Sequence, residues 1–501
     1  MKDALPKEFQ SYDITIFADK HPIEQLVPNA VRFGDKNIER LPNTEYLGNP
    51  WVRNVSRPFD ITNGLSGRHL AITQSHGRYY TYKKERWEWQ RPNLFCTIED
   101  LFTQTFVLPY IIPMLQNSGA VVFTSRERDW QSNEVIVDND QANRGGTYLE
   151  TITGNYKWEQ TGEPGFAYTK SVYLKGQNPF MDGSARKVAT TQSEEDASKA
   201  IWVPNIPEQG KYAVYVSYQT TPNSISDAVY KVHHKGGCTT FYVNQKMGGG
   251  TWVYLGTFAF DGDKEKNYVS VAPVGNGKEV VTTDAVKFGG GMGNVARYKQ
   301  PDSFENVKSS NTLPDEQVIV DSVQYLEELA QNQANAVTSG LPRYIEAARY
   351  WMQYAGIPDS IYNYTDSKND YVDDYASRGI WVNYLAGGSA ANPKQAGLNI
   401  PLHACLAFHT DAGVRDEVVG TLLIYKDHDD ETCKTYPTGK SRILNRDLGD
   451  YMQTQIVEDM RAIYAPEWTR RQLNNSSYAE ARHPKVPAVL LELLSHQNMT
   501  D

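Results

Sequence analysis

The stretch "RHLAITQSHGRYY", residues 68–80, decides the fold class of this chain. Its short apolar run ends at a polar tripeptide that closes on His76 and is followed at once by a glycine. Similar apolar runs occur in "AVVFTS" (120–125) and "VPAVLLEL" (486–493). Continuous apolar strands are typical of a sheet that helices cover on both faces. The pattern predicts an α/β domain in which His76 stands at the end of a strand.

Length and composition narrow the function classes. The 501 residues exceed one ordinary core, so at least two domains are expected. A formal charge of −10 gives no basic surface, which argues against nucleic acid as a partner. No apolar run reaches the length of about 18 residues that predicts a membrane span, and the first residues lack the apolar stretch of a signal peptide. We therefore expect no transmembrane segment, and an exported form would already have lost its signal.

The cysteines indicate neither a disulfide scaffold nor a structural zinc knuckle, because they lie far apart without paired spacing. They are Cys96, Cys238, Cys405 and Cys433.

A long central segment differs in texture from the rest of the chain. Alternating apolar residues in "KYAVYVSYQT" (211–220) and "TWVYLGTFAF" (251–260), with glycine-rich turns between them, are typical of β-strands. We predict an all-β sandwich inserted into the α/β domain, because insertion is tolerated where a domain's two ends lie close together. The predicted segments are an N-terminal extension (1–66), the first part of the α/β domain (67–133), the inserted sandwich (134–296) and the second part of the α/β domain (297–501).

One predicted helix contains two prolines. The stretch from residue 97 to 119 has apolar residues at helical spacing and ends on a glycine. Pro109 and Pro113 each remove a backbone hydrogen bond, so a kink is expected there.

Four polar residues are candidates for a metal site. In an open α/β sheet, ligands bind beyond the carboxyl ends of the strands, where His76, His409 and Glu492 are expected. Glu99 opens the helix after the first strand. Two histidines, one carboxylate ligand and one free carboxylate are what a hydrolytic zinc site requires. Simpler interpretations are a hydrogen-bonded loop histidine for His76 and a favourable helix-terminal charge for Glu99.

The same residues carry a family resemblance. "SHG" (75–77), the segment 98–129, "LAFHTDAG" (406–413) and "VPAVLLELLS" (486–495) are similar, in order and texture, to zinc-dependent N-acetylmuramoyl-L-alanine amidases of the amidase-three type. The resemblance implies that His76, Glu99 and His409 are zinc ligands and that Glu492 is the catalytic carboxylate. The connection from His76 to Glu99 is longer than in that family, and Ser125 replaces its usual threonine.

The central segment has a resemblance of its own. "WEQTG" (158–162), "AVYVSYQT" (213–220) and "TTDAVKFGGGMGN" (282–294) resemble the golvesin or xanthan-lyase type of carbohydrate-binding-like β-sandwich. That domain occurs inside envelope-associated bacterial amidase-like proteins, some of which are labelled xanthan lyases. The resemblance implies a glycan partner and an envelope, periplasmic or secreted location.

The expected function is hydrolysis of the amide bond between N-acetylmuramic acid and L-alanine in peptidoglycan, with Zn²⁺ as cofactor. Arg378 is a candidate for binding a substrate carboxylate or carbonyl, or else a salt-bridge partner of Asp373 or Asp374. Asp411 is a second candidate for substrate binding; it supports the metal site or is simply a turn residue.

Two other functions stay open on the sequence. One is a polysaccharide-binding or polysaccharide-degrading, xanthan-lyase-like protein, and the other is a zinc peptidase that acts on stem peptides. Trp202, Trp252 and Tyr254 either stack on sugar rings or pack the core of the sandwich, with Trp252, Tyr254, Phe258 and Phe260 expected on one strand face.

Overall fold

The computed structural model describes residues 4–41, 46–93, 97–140, 145–299 and 315–501, with the backbone alone for 315–321. Cys96 lies outside the described residues. In the first part of the chain the strands are β1 Phe17–Ala18, β2 His21–Pro22, β3 Val52–Asn54, β4 His69–Gln74, β5 Arg78–Thr81, β6 Arg86–Trp89 and β7 Val121–Thr124, and the helices are α1 Glu99–Phe102, α2 Gln104–Phe106 and α3 Ile112–Asn117.

The central part of the chain is built from strands. They are β8 Val135–Val137, β9 Gly146–Glu150, β10 Glu159–Gly165, β11 Gly183–Ala189, β12 Ala200–Pro204, β13 Gly210–Val216, β14 Ala228–His234, β15 Gly237–Val243, β16 Val253–Phe260, β17 Tyr268–Ala272, β18 Val280–Thr283 and β19 Val286–Phe288.

Helices and strands alternate again in the last part. The elements are α4 Asp315–Ala334, α5 Ala348–Tyr354, α6 Asp359–Tyr362, α7 Asp370–Ala386, β20 Ala404–Asp411, β21 Thr421–Tyr425, α8 Ile443–Ile463, β22 Arg470–Asn475, α9 Ala479–Arg482 and β23 Ala488–Ser495. None of the helices within the described ranges combines the length and the apolarity that crossing a membrane requires.

The sheet that carries the predicted site has six strands in the order β22-β21-β23-β20-β4-β7. The four strands β7, β4, β20 and β23 run parallel, whereas β21 runs antiparallel to β23 and parallel to β22. Alternate residues of β4 point to opposite faces: Ala71 packs in one core with α7, and Leu70 and Ile72 pack in another with α3 and α8. Helices therefore cover both faces, which explains why these strands read as continuous apolar runs.

The helical zone between β4 and β7 is irregular, as its prolines predict. A π-helical turn, Val107–Ile111, contains Pro109 and separates α2 from α3. Such a turn accommodates the backbone hydrogen bond that a proline cannot donate.

Two antiparallel sheets of the central region pack on one core. Their orders are β3-β15-β14-β17-β12-β9 and β16-β13-β19-β8, and a smaller sheet has the order β10-β11-β18. Trp202 on β12 and Val214 on β13 share this core, so the two sheets face each other as in a sandwich. β3 pairs with β15, although it precedes the predicted first segment of the α/β domain.

The prediction of one shared aromatic face on β16 is wrong. Tyr254 pairs with Tyr215 and Gly256 pairs with Val214, so Leu255 is an extra residue in the ladder. Such a bulge reverses which side chains point to which face. Trp252 and Tyr254 consequently pack with a different cluster from Phe258 and Phe260.

Buried ion pairs connect the sandwich to the rest of the chain. Glu127, after β7, pairs with Lys287 of β19 at 2.9 Å, and neither side chain is exposed. Glu134 pairs with Arg343 at 2.7 Å. Because breaking a buried pair leaves an uncompensated charge, these two ion pairs fix the position of the sandwich relative to the rest of the chain.

Candidate metal centre

The two predicted histidine ligands come from neighbouring parallel strands. β4 ends at Gln74 and β20 carries His409 near its carboxyl end, so both histidines lie at the same edge of the sheet. Ser75, between the strand and His76, has a left-handed backbone with φ of 56°. Non-glycine residues rarely adopt this conformation, and they are enriched at functional sites. Ser75 turns the chain so that His76 is presented at the strand end.

Glu99 lies between the two histidines. It begins α1 and is buried, with its Oε1 atom 2.9 Å from Nδ1 of His409 and 3.5 Å from Nδ1 of His76. Ser75 Oγ donates a hydrogen bond of 2.9 Å to the same oxygen. Candidate ligand atoms of His76, Glu99 and His409 all lie within 4.8 Å of one another. Zinc–ligand bonds of about 2.0–2.2 Å require side chains grouped this closely.

The electrostatics of the group suit a bound cation. Burial lowers the pKa of His76 well below its ordinary value, and the nearby His409 and Arg378 lower it further. A neutral imidazole is the form that binds a metal. Burial also lowers the pKa of His409, but Glu480 and Glu99 outweigh it and raise the pKa to about 10. The carboxylates around His409 thus favour positive charge at this position.

Glu492 lies opposite His409 on the adjacent strand, β23. Its Oε2 atom is buried and has no hydrogen-bond partner among the described residues. Burial raises the pKa of Glu492 to about 7, and the charges of Glu99 and Asp411 act in the same direction while His409 opposes them. A carboxylate that titrates near neutrality can both accept and donate a proton.

All four residues line one polar cleft of about 520 Å³. The connection between His76 and Glu99 forms the antiparallel pair β5–β6 and then brings Arg91 to this cleft. Arg91 Nε lies 3.5 Å from Glu99 Oε2, and its Nη1 donates to the Tyr371 hydroxyl at 3.0 Å. The long connection therefore forms part of the cleft wall and adds a cation to it.

Arg378 lies at the back of the cleft with 2% of its side chain exposed. Its Nη1 donates to the carbonyl of Ser75 at 2.8 Å, and its Nε lies 3.3 Å from Glu480. Asp374, one of the two acidic partners considered from the sequence, is 3.7 Å away, whereas Asp373 pairs with Arg349. The main ionic partner is thus Glu480, and a direct role of Arg378 in substrate binding stays a prediction.

Asp411 lies at the rim of the cleft. One carboxylate oxygen is 2.6 Å from Arg471, and the other accepts a hydrogen bond of 2.6 Å from the backbone of Ala412. The second contact is that of a turn aspartate. Support of the metal site by Asp411 stays a prediction.

Glu480 is a site residue that the sequence did not indicate. It belongs to the short helix α9 and its two carboxylate oxygens lie 3.1 and 3.3 Å from Nε2 of His409. Burial raises the pKa of Glu480, but Arg378 and His409 more than offset this and hold it below the ordinary value. The surrounding stretch, "SSYAEARHP" (476–484), has no strand or long-helix pattern that would have marked this glutamate.

The three aromatic residues considered for sugar stacking have little open ring surface. Trp202 is fully buried and Trp252 is 6% exposed, so neither ring has a free face. Tyr254 is covered by the Arg128 guanidinium, 3.9 Å from its ring centre. Sugar stacking by Trp202 and Trp252 is therefore wrong, because both rings pack in the protein interior.

Comparison with known proteins concerns mainly the central region. The profile of the Golvesin C-terminal domain matches residues 176–290. This part of the all-β region is therefore golvesin-like. A xanthan lyase from Bacillus sp. (strain GL1) is 30% identical over 155 residues, which are 31% of this chain and 14% of that protein. The chain thus spans about a seventh of the length of this curated relative.

Two solved structures share limited similarity with the chain. A Paenibacillus xanthan lyase is 24% identical, with a TM-score of 0.25, over 32% of this chain and 13% of that one. An isomalto-dextranase from Arthrobacter globiformis T6, solved with panose, is 13% identical, with a TM-score of 0.17, over 32% of this chain and 33% of that one. The Golvesin profile and the xanthan lyase sequence match support a carbohydrate-related domain, and the amidase resemblance stays a prediction.

Proposed function

We propose that this protein is a zinc-dependent hydrolase of the cell envelope, periplasmic or secreted, that cleaves the amide bond between N-acetylmuramic acid and L-alanine in peptidoglycan. The observation that carries the proposal is the grouping of His76, Glu99 and His409 in one cleft with Glu492, whose Oε2 atom has no hydrogen-bond partner among the described residues. The golvesin-like region supports a glycan-containing substrate.

The donor set fits zinc. Two imidazole nitrogens and one carboxylate oxygen are ligands that zinc accepts, and three protein ligands leave a coordination position open for chemistry. His76, Glu99 and His409 would hold the ion. When bound, zinc supplies Lewis acidity that polarises a carbonyl and makes a water molecule easier to ionise.

Glu492 acts first as the general base and then as the general acid of the reaction. Its carboxylate takes a proton from the attacking water as the new C–O bond forms at the lactyl carbonyl of N-acetylmuramic acid. The same group returns a proton to the amide nitrogen as the C–N bond breaks. The products are a free carboxyl group on the sugar and a free amine on L-alanine. The raised pKa of Glu492, about 7, suits a group that must do both near neutrality.

Arg91 is proposed to orient the substrate. It is the cation that faces the cleft next to Glu99, and its side chain is 35% exposed. A guanidinium binds carboxylate and carbonyl oxygens with defined geometry. Arg378 is almost fully enclosed, so we assign its contribution to holding the site rather than to the substrate.

The test is release of free stem peptide from purified peptidoglycan, read by mass spectrometry. Zinc-loaded protein is compared with chelated protein, with Glu492→Gln and with the control Glu458→Gln, which changes an exposed glutamate of α8. Peptides with a new L-alanine amine, lost on chelation and in Glu492→Gln but retained in the control, support the proposal. Zinc-loaded protein that leaves peptidoglycan intact contradicts it.

A second candidate is a polysaccharide-binding or polysaccharide-degrading function, which the similarity to xanthan lyase favours. Incubation with xanthan, followed by size analysis of the polymer, tests this. Chain shortening that survives in Glu492→Gln and after chelation would favour this candidate over the hydrolase. A peptidase acting within the stem peptide would instead release fragments while leaving L-alanine attached to the sugar.

A further inference from the structure

Glu480 touches one of the predicted ligands from the side opposite the other ligands. The Nδ1 atom of His409 faces Glu99 at 2.9 Å, whereas its Nε2 atom faces Glu480 at 3.1 Å. The two nitrogens lie on opposite sides of the imidazole ring. With the ring in this orientation, Glu480 cannot share a metal ion with Glu99 and Nδ1 of His409.

Glu480 is itself held in place by a second buried charge. It is 4% exposed, and Arg378 approaches it at 3.3 Å. Arg378 is anchored in turn by a hydrogen bond of 2.8 Å to the carbonyl of Ser75, the residue before His76. A buried carboxylate is costly unless it is paired, so this arrangement fixes where Glu480 can lie.

We infer that Glu480 is the positioning residue for His409. It accepts the Nε2–H hydrogen bond, which fixes the tautomer that leaves Nδ1 free to bind, and it restricts rotation of the ring. Arg378 links Glu480 to the backbone beside His76, so one chain of contacts orients both histidines. Carboxylates that accept from a metal-binding histidine orient the ring and raise its basicity. The inference rests on the proposed zinc centre.

Two other roles of Glu480 are to be distinguished from positioning: that of the catalytic base and that of a purely structural residue. Glu492, not Glu480, has the unengaged oxygen in the cleft, so Glu480 is not needed as the base. In the structural alternative, Glu480 only stabilises α9, and Asp430 provides a control for that role. Asp430 pairs with His483 at 2.6 Å and with Arg482 of α9 at 2.5 Å, and thus holds the same helix through residues other than His409.

The experiment measures the zinc dissociation constant of the full chain by competition with a chromophoric chelator at fixed pH. Wild type is compared with Glu480→Gln, Glu480→Ala and Asp430→Asn, and circular dichroism and melting temperature report on folding. Loss of a carboxylate partner to a metal-binding histidine weakens affinity by about 10- to 100-fold. We expect that loss in Glu480→Ala, a smaller one in Glu480→Gln, which retains an acceptor, and none in Asp430→Asn.

The outcomes separate this inference from the proposed function. Wild type that binds no zinc contradicts the metal centre and removes the basis of the inference. Wild type that binds zinc, with folded Glu480 variants that bind it equally well, overturns the inference alone. A variant with a lowered melting temperature but unchanged affinity shows that Glu480 supports the fold and does not orient His409. A second readout is the ¹⁵N spectrum of histidine-labelled, zinc-loaded protein, in which removal of Glu480 shifts the Nε2 resonance of His409.

Discussion

The cleft and the sandwich both bury carboxylates, but they surround them differently. In the cleft, Glu99 and Glu480 each lie within 3.5 Å of a histidine or an arginine, and their pKa values fall below the ordinary range despite burial. In the sandwich, Asp138 and Asp284 form no ion pair with a described residue. Burial and the charge of Asp140 raise the pKa of Asp138, and burial and the charge of Asp138 raise the pKa of Asp284. Position in the interior therefore does not decide the charge of a carboxylate, because the neighbours do.

This difference separates the buried carboxylates of the proposed reaction centre from the buried carboxylates of the packed sandwich. The cleft places histidines and arginines around Glu99 and Glu480, so these two carboxylates keep their charge, whereas Glu492 in the same cleft has a pKa raised to about 7. Asp138 and Asp284 are buried without a cation partner among the described residues, which favours their protonated form. Substitutions in the first region should change activity, and substitutions in the second should change stability.

The largest effect is expected for Glu492→Gln. Removing a general base costs about 10²- to 10⁴-fold in rate. Because Glu492 is not one of the predicted ligands, zinc affinity should stay unchanged. Initial rates of stem-peptide release and a zinc titration measure the two quantities. Equal losses of rate and of zinc affinity would show that Glu492 contributes to zinc binding, and would contradict its assignment as a base that is not a ligand.

Trp202→Ala should have the largest effect on stability. Trp202 is fully buried and its Nε1 donates to the carbonyl of Asp284 at 3.0 Å. Truncating a buried tryptophan costs about 3–5 kcal/mol, whereas Trp130→Ala, at a 51% exposed position, should change stability by about 0.5 kcal/mol or less. Denaturant unfolding measures both. A Trp202→Ala protein of native stability with weakened glycan binding would reverse the assignment of this residue to the core.

The cleft could be predicted from the sequence because its residues stand where simple rules apply. His76 and His409 follow apolar strands, Glu99 opens a helix, and Glu492 interrupts an otherwise apolar strand. Parallel strands then bring their carboxyl ends together at one edge of the sheet. The same patterns correctly predicted β4, β7, β20 and β23 of this sheet, but not β21 and β22, and they predicted the interruption of the proline-containing helix.

Other features depend on contacts that no local pattern carries. Glu480 reaches His409 because α9 packs beside β20, which is 71 residues away along the chain at the point of contact. The bulge at Leu255 reverses the faces of β16, and a strict alternation rule cannot anticipate an extra residue. The pairing of β3 with the sandwich likewise requires knowledge of the tertiary structure.

Zinc should stabilise the folded chain through the cleft alone. A ligand at about 100 times its dissociation constant adds about 2.7 kcal/mol if it binds only the folded state. We expect this gain in wild type, no gain in His76→Ala, and an undiminished gain in Asp138→Asn, because Asp138 lies in the sandwich. Melting curves with and without zinc measure it. If the stabilisation by zinc persists in His76→Ala but disappears in Asp138→Asn, zinc binds in the sandwich and not in the cleft.

The smallest predicted effect is a pH dependence of stability that originates in the sandwich. Burial, together with the charge of Asp140, raises the pKa of Asp138 in the folded state, and burial and the Asp138 charge raise that of Asp284. The unfolded chain ionises these groups from about pH 4 upward while the folded chain keeps its protons, so stability falls as pH rises from there towards the folded-state pKa. Stability should therefore fall between about pH 5 and about pH 8, the range that lies below the folded-state pKa of Asp138. Asp138→Asn cannot ionise and should flatten this slope, whereas Asp261→Asn, at an exposed turn, should leave it unchanged. The free energy of unfolding, measured at the two pH values, tests this prediction. If it falls equally steeply with pH in Asp138→Asn, the pH dependence arises outside this pair. The different surroundings of the buried acids in the two regions would then have no effect on the pH dependence of stability.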